Sequence, residues 1–379
     1  MIYTKTTWND IPVTAQISKF NTDNNNAEYH VIFEINNTAL NARQQYSVIE
    51  TAVEKLAKSE DFSHTVLVWK RYFVSDAINQ AEMIPQKQNC AISVIQQPML
   101  NNTKVAIWAY FVENATVSSS GNTTYMRHGG YNHQYVTQLH SRKNDESTET
   151  TDIFNSYTGI LKNSGYTLKD NCIRTWIFVH GVDVHYAGMV KERKKFFEQE
   201  DLTDRTHYLA STGIEGKYKY PDCLVYMDGY AIENINQEQI TYLKGLSHLN
   251  PTIEYGVTFE RATAVDYGDR RHVLVSGTAS IDNKGNIVHP LEIDKQIERT
   301  LENINVLLNE GESGMDDIAQ MIVYLRDTAD YELVSNYMEK HYPQIPKVIV
   351  WAPVCRPGWL IEIECIAIKA IEKPEWNKF

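Results

Sequence analysis

Two carboxylates alternate with apolar residues near the end of the chain, in the run Leu360-Ile-Glu-Ile-Glu-Cys-Ile-Ala-Ile368. Because β-branched and apolar residues favour strands and residues two apart share a face, we expect Glu362 and Glu364 to lie on one face of a strand. A carboxyl group among apolar residues is costly to ionise, which raises its pKa and suits it to proton transfer. We therefore interpret Glu362 as a candidate catalytic acid. The alternative is an edge strand that exposes both carboxylates to solvent.

The turn before this strand, Trp351-Ala-Pro-Val-Cys-Arg-Pro-Gly-Trp359, places a cation beside a thiol. Arg356 lies between prolines that restrict the backbone, which suits an arginine that binds a carboxylate through paired hydrogen bonds. The neighbouring Cys355 is a second candidate catalytic residue, whose pKa the cation could lower. The alternatives are an arginine on a surface turn and a buried, unreactive cysteine.

Small residues at two places would let a ligand approach the backbone. One segment is Ser276-Gly-Thr-Ala-Ser-Ile281, and a related one is Ala210-Ser-Thr-Gly-Ile-Glu-Gly216. A bulge or a tight turn would explain these segments as well. A basic run from Lys191 to Lys195 lies on a predicted helix; a solvated face explains most of it, but one arginine could point into a cleft. The predicted substrate-binding residues are Arg193, Thr212, Gly213, Gly277, Thr278, Ala279 and Arg356.

Three parts of the chain repeat one order of predicted elements, strand-strand-helix-strand-helix-strand-strand. We predict three tandem α+β modules at 1–117, 125–235 and 252–371, which close their apolar sheet faces against one another in a pseudo-trimeric barrel. The first module lacks a clear second helix, and Ser118–Thr124 is predicted to be a flexible polar link. The predicted helices are 46–57, 150–162, 186–198, 295–309 and 331–341.

The repeats differ at the position of the candidate acid. Where the third module has Glu362 in its last strand, the second has Tyr226 and the first has Ala106. The sequence therefore predicts one functional cleft per chain, at one of the three contacts between modules.

The composition limits the classes of partner. The 379 residues carry 36 Lys and Arg against 48 Asp and Glu, a net charge of −12, which disfavours nucleic acid as a partner. No apolar run approaches the ~20 residues that span a bilayer, and no signal peptide precedes the first module, so a cytoplasmic protein is expected. The five cysteines include no C-x-x-C pair, and the histidines show no metal-site spacing, so we expect neither a metal nor a cofactor.

Residues 257–370 resemble a full subunit of the RidA/YjgF family. That family forms trimers with ligand sites between subunits, so the resemblance implies three tandem RidA/YjgF-like (chorismate mutase-like) modules in one chain, as a monomeric pseudo-trimer or a dimer of such units. The resemblance rests on Leu274-Val-Ser-Gly277, Gln296-x-x-x-Thr-Leu-Glu-Asn-Ile304, Ile322-Val-Tyr-Leu-Arg-Asp327 and the strand that carries Glu362.

The family's imine and enamine deaminases use an arginine soon after a proline, a nearby cysteine and the glutamate that matches Glu362. In this sequence the arginine position is similar to Lys347 and the cysteine position to Ile349. A deaminase is therefore one implied function, and this sequence departs from its pattern at two positions.

A second resemblance is to the chorismatases, which contain fused RidA-like modules and hydrolyse chorismate. It rests on Ser276–Ile281, on Val354-Cys-Arg-Pro357 and on a middle region with Arg174-Thr-Trp176 and Ala210-Ser-Thr-Gly213. Cys355 is similar in position to a cysteine of the branch that forms 3-hydroxybenzoate. The resemblance implies a small anionic substrate, with chorismate or a related enol ether hydrolysed to release pyruvate. A non-catalytic protein that binds a small metabolite is the remaining alternative.

Overall fold

The chain forms three six-stranded sheets, and each sheet uses a consecutive part of the sequence. The computed structural model describes residues 1–22, 26–85 and 88–379. The first sheet and its helices consist of β1 (Ile2–Thr7), β2 (Val13–Phe20), β3 (Glu28–Ile35), α1 (Ala42–Ala57), β4 (Thr65–Val74), α2 (Ala77–Gln80), β5 (Ala91–Gln96) and β6 (Val105–Glu113).

The second and third sheets repeat this order of elements. The second consists of β7 (Thr116–Ser120), β8 (Thr123–His128), β9 (Tyr131–His140), α3 (Glu146–Asn163), α4 (Leu168–Asn171), β10 (Cys172–Val179), α5 (Val182–Gln199), β11 (Ala210–Glu215) and β12 (Val225–Glu233). The third consists of β13 (Ile240–Leu243), β14 (Ala262–Asp266), β15 (Arg270–Ala279), α6 (Ile293–Glu310), β16 (Ile318–Leu325), α7 (Tyr331–His341), β17 (Lys347–Trp351) and β18 (Ile361–Ala370).

All three sheets have the same strand order, which confirms the predicted α+β fold of three repeated modules. In the first sheet the order is β1-β2-β3-β6-β4-β5, and the corresponding strands of the other sheets follow it. The first module's second helix, α2, has four residues, as expected from its degenerate sequence. No helix in the described part of the chain is long and apolar enough to cross a membrane.

The predicted polar link at Ser118–Thr124 is wrong, because these residues form a β-hairpin. Ser119 pairs with Thr124 and Ser120 with Thr123, and Gly121 at φ +61° makes the turn between them. β-Branched threonines favour strands even when the segment is polar throughout. The strands of the second and third sheets thus begin at Thr116 and Ile240, upstream of the predicted module starts at 125 and 252.

The strand register places Glu362, Tyr226 and Ala106 at equivalent positions of the three sheets, as the comparison of the repeats predicted. In the third sheet Glu362 pairs with Tyr324, and at the matching place of the second sheet Tyr226 pairs with Phe178. In the first sheet Ala106 pairs with Phe73 there. The last strands of the three modules are therefore equivalent in space as well as in sequence.

The inner faces of the sheets meet around a buried network of charges. Arg71 Nη2 donates to Asp228 Oδ2 at 3.0 Å, and Arg174 Nη2 donates to Glu364 Oε2 at 2.9 Å. Arg71 Nη1 lies 3.9 Å from Glu364 Oε1, which also accepts from Trp176 Nε1 at 2.9 Å. Since Arg71 belongs to the first module, Asp228 to the second and Glu364 to the third, this network joins all three.

We expect Arg71→Met to lower the free energy of unfolding by about 3–5 kcal/mol, because it leaves the buried Asp228 carboxylate without its cation. The control is Arg142→Met, since Arg142 also pairs with an aspartate, Asp222 at 2.9 Å, but its side chain is 52% exposed. That change should cost less than ~1 kcal/mol. Urea unfolding followed by tryptophan fluorescence measures both, and equal losses would contradict the role of the network.

Candidate functional site

A cavity of about 700 Å³ lies between the second and third modules. Helix α5 and strand β11 form one wall, and β15, β18 and the turn before β18 form the other. Seven of the predicted site residues line it: Glu362, Cys355, Arg356, Arg193, Gly213, Gly277 and Ala279.

The Glu362 carboxyl group lies directly against the backbone of Gly277. A Cβ atom added to Gly277 would lie 2.0 Å from Glu362 Oε1, so a side chain at position 277 would displace the carboxyl group. Glu362 is 4% exposed, and within the described residues no N–H or O–H group donates a hydrogen bond to its carboxyl oxygens. The small residue at 277 therefore makes the space in which the acid lies.

Burial and, to a smaller extent, the negative charge of Glu364 raise the pKa of Glu362 while Arg261 opposes the shift, and the resulting pKa is about 8. At neutral pH the group is therefore mainly a protonated acid, as a proton donor requires. Glu364 is also buried but accepts hydrogen bonds from Arg174 and Trp176. The alternative of two solvated carboxylates on an edge strand is wrong, and the two glutamates lie in different surroundings.

Arg193 is the arginine of the basic helix that points into the cavity, as predicted. It is 1% exposed, while Lys191 and Lys194 on the same helix are exposed. Its Nε and Nη2 atoms are buried, and no group in the described part of the chain accepts a hydrogen bond from them. Burial lowers its pKa from the usual value. A buried cation with free N–H groups that lines a cavity is suited to bind an anion.

Arg356 lies at the cavity wall between two aromatic rings. Its guanidinium carbon is 4.4 Å from the ring centroid of Tyr255 and 4.7 Å from that of Trp359. Nη1 donates to the carbonyl oxygen of Gly285 at 3.1 Å. Stacking and this hydrogen bond hold the guanidinium group in one orientation, whereas an arginine on a surface turn would be free to move in solvent.

The pKa of Cys355 is not lowered by its neighbour Arg356. Desolvation, the largest effect, and the nearby Glu362 carboxyl group raise the pKa of this thiol to about 12, although Arg356 opposes the shift. The thiol is therefore neutral at physiological pH and unsuited to act as a thiolate nucleophile. The expectation of a lowered pKa is wrong because burial outweighs the effect of an adjacent charge.

Two of the predicted substrate-binding residues, Thr212 and Thr278, lie behind the cavity wall. Thr212 Oγ1 accepts hydrogen bonds from Arg174 Nη2 at 2.9 Å and from the Gly277 N–H at 3.0 Å. Thr278 Oγ1 donates to the Ser276 carbonyl oxygen at 2.9 Å. Both hydroxyl groups thus make contacts within the protein, and Thr212 positions the backbone of Gly277.

Arg261 is a cavity residue that the sequence analysis missed. It lies just before β14, is buried, and donates from Nη2 to the Asn250 carbonyl oxygen at 3.0 Å, while its Nε has no partner within the described chain. It is close enough to Glu362 to lower the pKa of that group. No recognisable motif surrounds Arg261 in the sequence, so its place in the cavity becomes evident only from the fold.

Aromatic rings and cations dominate the cavity. Six Lys or Arg side chains and two carboxylates are present among its described lining residues, together with four aromatic rings. Apolar walls with a few fixed polar groups are typical of small-molecule sites. The excess of cations favours an organic anion. The rings are those of Tyr186, Tyr255, Phe259 and Trp359.

The equivalent contact between the first and second modules has different chemistry. It contains a cavity of about 570 Å³ whose described lining residues include no carboxylate, and Tyr226 occupies the place of Glu362. At the contact between the third and first modules, Lys347 Nζ is bound to Glu339 at 2.8 Å, and its backbone pairs with Gln16. Lys347 is thus absent from the described lining of the Glu362 cavity. In that cavity β11 takes the place of β17, and the residue of β11 equivalent to Lys347 is Ser211.

Comparison with known proteins identifies the family. The sequence profile described as Endoribonuclease L-PSP matches residues 261–369. A RutC family protein of Saccharolobus solfataricus is 34% identical over 100 residues, which are 26% of this chain and 79% of that protein. This chain belongs to the RidA/YjgF family. Another RidA-family relative, named 3-aminoacrylate deaminase RutC, from Acinetobacter baylyi, is 28% identical over 97 residues, 25% of this chain and 77% of that protein.

The fold of most of this RidA-family chain is similar to that of a chorismatase crystal structure. The two superpose with a TM-score of 0.64 at 15% sequence identity, over 79% of this chain and 92% of the chorismatase chain. At this identity the likeness concerns the fold, and it extends over more than one RidA-like module.

The raised pKa of Glu362 predicts a specific pH dependence of stability. The unfolded chain loses the Glu362 proton near the usual pKa of 4.5, whereas the folded protein keeps it until about pH 8. Glu362 therefore lowers the free energy of unfolding progressively as the pH rises through that window. Glu362→Gln removes the effect. Relative to the wild type, the variant should therefore gain stability between pH 5 and pH 9, by at most roughly 1.4 kcal/mol per pH unit within the window. Urea unfolding at both pH values measures this, and a difference that does not change with pH would contradict the shift.

The free N–H groups of Arg193 predict opposite effects on stability and binding. Arg193→Met removes a buried cation without a partner, so the free energy of unfolding should rise or stay unchanged. The same change should weaken binding of an anionic ligand at least tenfold. Lys162→Met, on α3 outside the described cavity lining and with a side chain that is 66% exposed, is the control for both stability and binding. If Arg193→Met destabilised the protein by several kcal/mol, the guanidinium group would have a structural role instead.

Proposed function

We propose that this RidA-family chain is a chorismatase-like hydrolase that acts on chorismate or a related enol ether and releases pyruvate. The observation that carries the proposal is Glu362, a buried acid with a pKa of about 8 in a cavity lined by arginines. A vinyl ether is hydrolysed through protonation of its methylene carbon, which requires an acid that keeps its proton at neutral pH.

In the proposed reaction Glu362 transfers its proton to the terminal methylene carbon, which becomes the methyl group of pyruvate. Water adds to the resulting oxocarbenium carbon, and the Glu362 carboxylate accepts a proton from this water. The hemiketal then breaks its bond to the ring oxygen, which leaves as an alcohol, so that one water molecule is consumed and the acid is restored. Proton transfer of this kind contributes about 10²–10⁴-fold, and orientation supplies much of the remainder.

The arginines supply the orientation. Arg193 and Arg356 would each hold a carboxylate through paired hydrogen bonds, and Arg261 adds a third cation next to Glu362. Cys355 is a neutral thiol at the wall and would contact the ring, without acting as a nucleophile. The likeness of the fold to a chorismatase supports the same substrate class.

A RidA-type deaminase of imines or enamines is the second candidate, supported by the relative named 3-aminoacrylate deaminase. The arrangement of the modules disfavours it. The residue at the deaminase arginine position, Lys347, lies at another contact between modules, and the matching strand positions in the Glu362 cavity hold Ser211 and Gly213. A third candidate, binding of a metabolite without catalysis, would leave the acid without a role.

The test is release of pyruvate from chorismate, with ammonia release from 2-iminopropionate measured in parallel. Glu362→Gln keeps the size of the side chain but removes the transferable proton, so turnover should fall by roughly 10²–10⁴-fold with little change in substrate binding. Glu198→Gln makes the same chemical change on an exposed residue at the cavity rim and serves as the control. Unchanged turnover in Glu362→Gln would remove Glu362 from the mechanism, and ammonia release without pyruvate would favour the deaminase.

A further inference from the structure

At one position of the cavity wall formed by β11, the side chain that the matching strands of the other modules carry is absent. Gly213 pairs with Ile177, while at the equivalent places Val94 pairs with Tyr72 and Ile349 with Val323. The other two modules therefore have a branched side chain where the second module has none.

The space above Gly213 is occupied by the ring of Tyr186. A Cβ atom at position 213 would lie 3.0 Å from Tyr186 Cε2 and 3.5 Å from its hydroxyl oxygen. A valine or isoleucine there would overlap the ring, so the glycine is what allows Tyr186 to lie against the strand.

Tyr186 brings a neutral hydroxyl group next to the candidate acid. Tyr186 lies near Cys355 and Glu362, and burial raises the pKa of its hydroxyl group well above the usual value. It lies seven residues before Arg193, so both side chains project from the same face of α5. Both line the cavity.

Among the polar groups of this wall, Tyr186 is suited to a different ligand group from the arginines. Guanidinium groups donate hydrogen bonds but cannot accept them, whereas a phenol does both. Two other hydroxyl residues are present in the described lining. Ser211 already accepts a hydrogen bond from Thr175 Oγ1 at 2.9 Å. The ring of Tyr255 is stacked with the guanidinium groups of Arg261 and Arg356, at 5.4 and 4.4 Å from its centroid. A ligand hydroxyl group, which donates and accepts, therefore matches Tyr186.

We propose that Tyr186, placed by Gly213, recognises a hydroxyl group on the substrate ring and is a specificity-determining residue of the site. This inference rests on the proposed function for the reaction, but recognition of the ring can be measured without turnover. The arginines bind the carboxylates, and Tyr186 distinguishes a hydroxylated ring from a bare one.

The first experiment compares the binding of 3- and 4-hydroxybenzoate with that of benzoate by isothermal titration calorimetry. The wild type should prefer one hydroxybenzoate by roughly 5- to 10-fold, the usual effect of one hydrogen bond, and Tyr186→Phe should abolish the preference while leaving benzoate binding unchanged. Tyr125→Phe is the control, because its hydroxyl group makes a hydrogen bond of 2.9 Å to Ser164 outside the described cavity lining. A preference that survives in Tyr186→Phe overturns the proposal, as does an equal loss of affinity for all three ligands.

The second experiment uses turnover and separates this inference from the proposed function. If chorismate is the substrate, Tyr186→Phe should raise KM by roughly 5- to 10-fold and change kcat less than threefold. With an analogue that lacks the ring hydroxyl, wild type and variant should have equal KM values. An equal rise in KM for both substrates would overturn the proposal. If the wild type releases no pyruvate, the proposed function fails, and the calorimetric preference alone decides the role of Tyr186.

Discussion

The buried pairing of two arginines with two carboxylates at the meeting point of the sheets is the constraint on which the rest of the structure depends. Arg71 and Arg174 lie in an apolar interior, where an unpaired charge would be strongly unfavourable. Each finds its carboxylate on a different module, Asp228 for Arg71 and Glu364 for Arg174. The arrangement of the sheets that pairs these charges also places β11 and β18 on opposite walls of the cavity.

This constraint links the first module to the site, although none of the described residues of that module lines the cavity. Arg71 Nη1 lies 3.9 Å from Glu364, and the negative charge of Glu364 contributes to the raised pKa of Glu362. The acid therefore depends on all three modules, two for its walls and one for its electrostatic surroundings. The walls themselves depend on two glycines, since Gly277 makes room for Glu362 and Gly213 for Tyr186.

Much of the fold and part of the site could be predicted from the sequence. The repeated apolar strands and amphipathic helices carry their own periodic signal, and Glu362 is conspicuous as a carboxylate in an apolar strand. The hairpin at 116–128 was missed because its threonines and serines read as a polar link. Arg261 and Tyr186 were missed because they reach the cavity through loop and helix packing. The pKa of Cys355 was mispredicted because desolvation depends on surroundings that sequence neighbours do not reveal.

The walls of the cavity come from two modules of one covalent chain, and this has a consequence for behaviour on dilution. A site shared between separate subunits disappears when the assembly dissociates, so its activity per molecule falls at low concentration. Here the short segment from Glu233 to Ile240 connects the second sheet to the third and keeps the two walls at an effective concentration in the millimolar range or above. The site can therefore persist in a single molecule, because dilution does not separate its two walls.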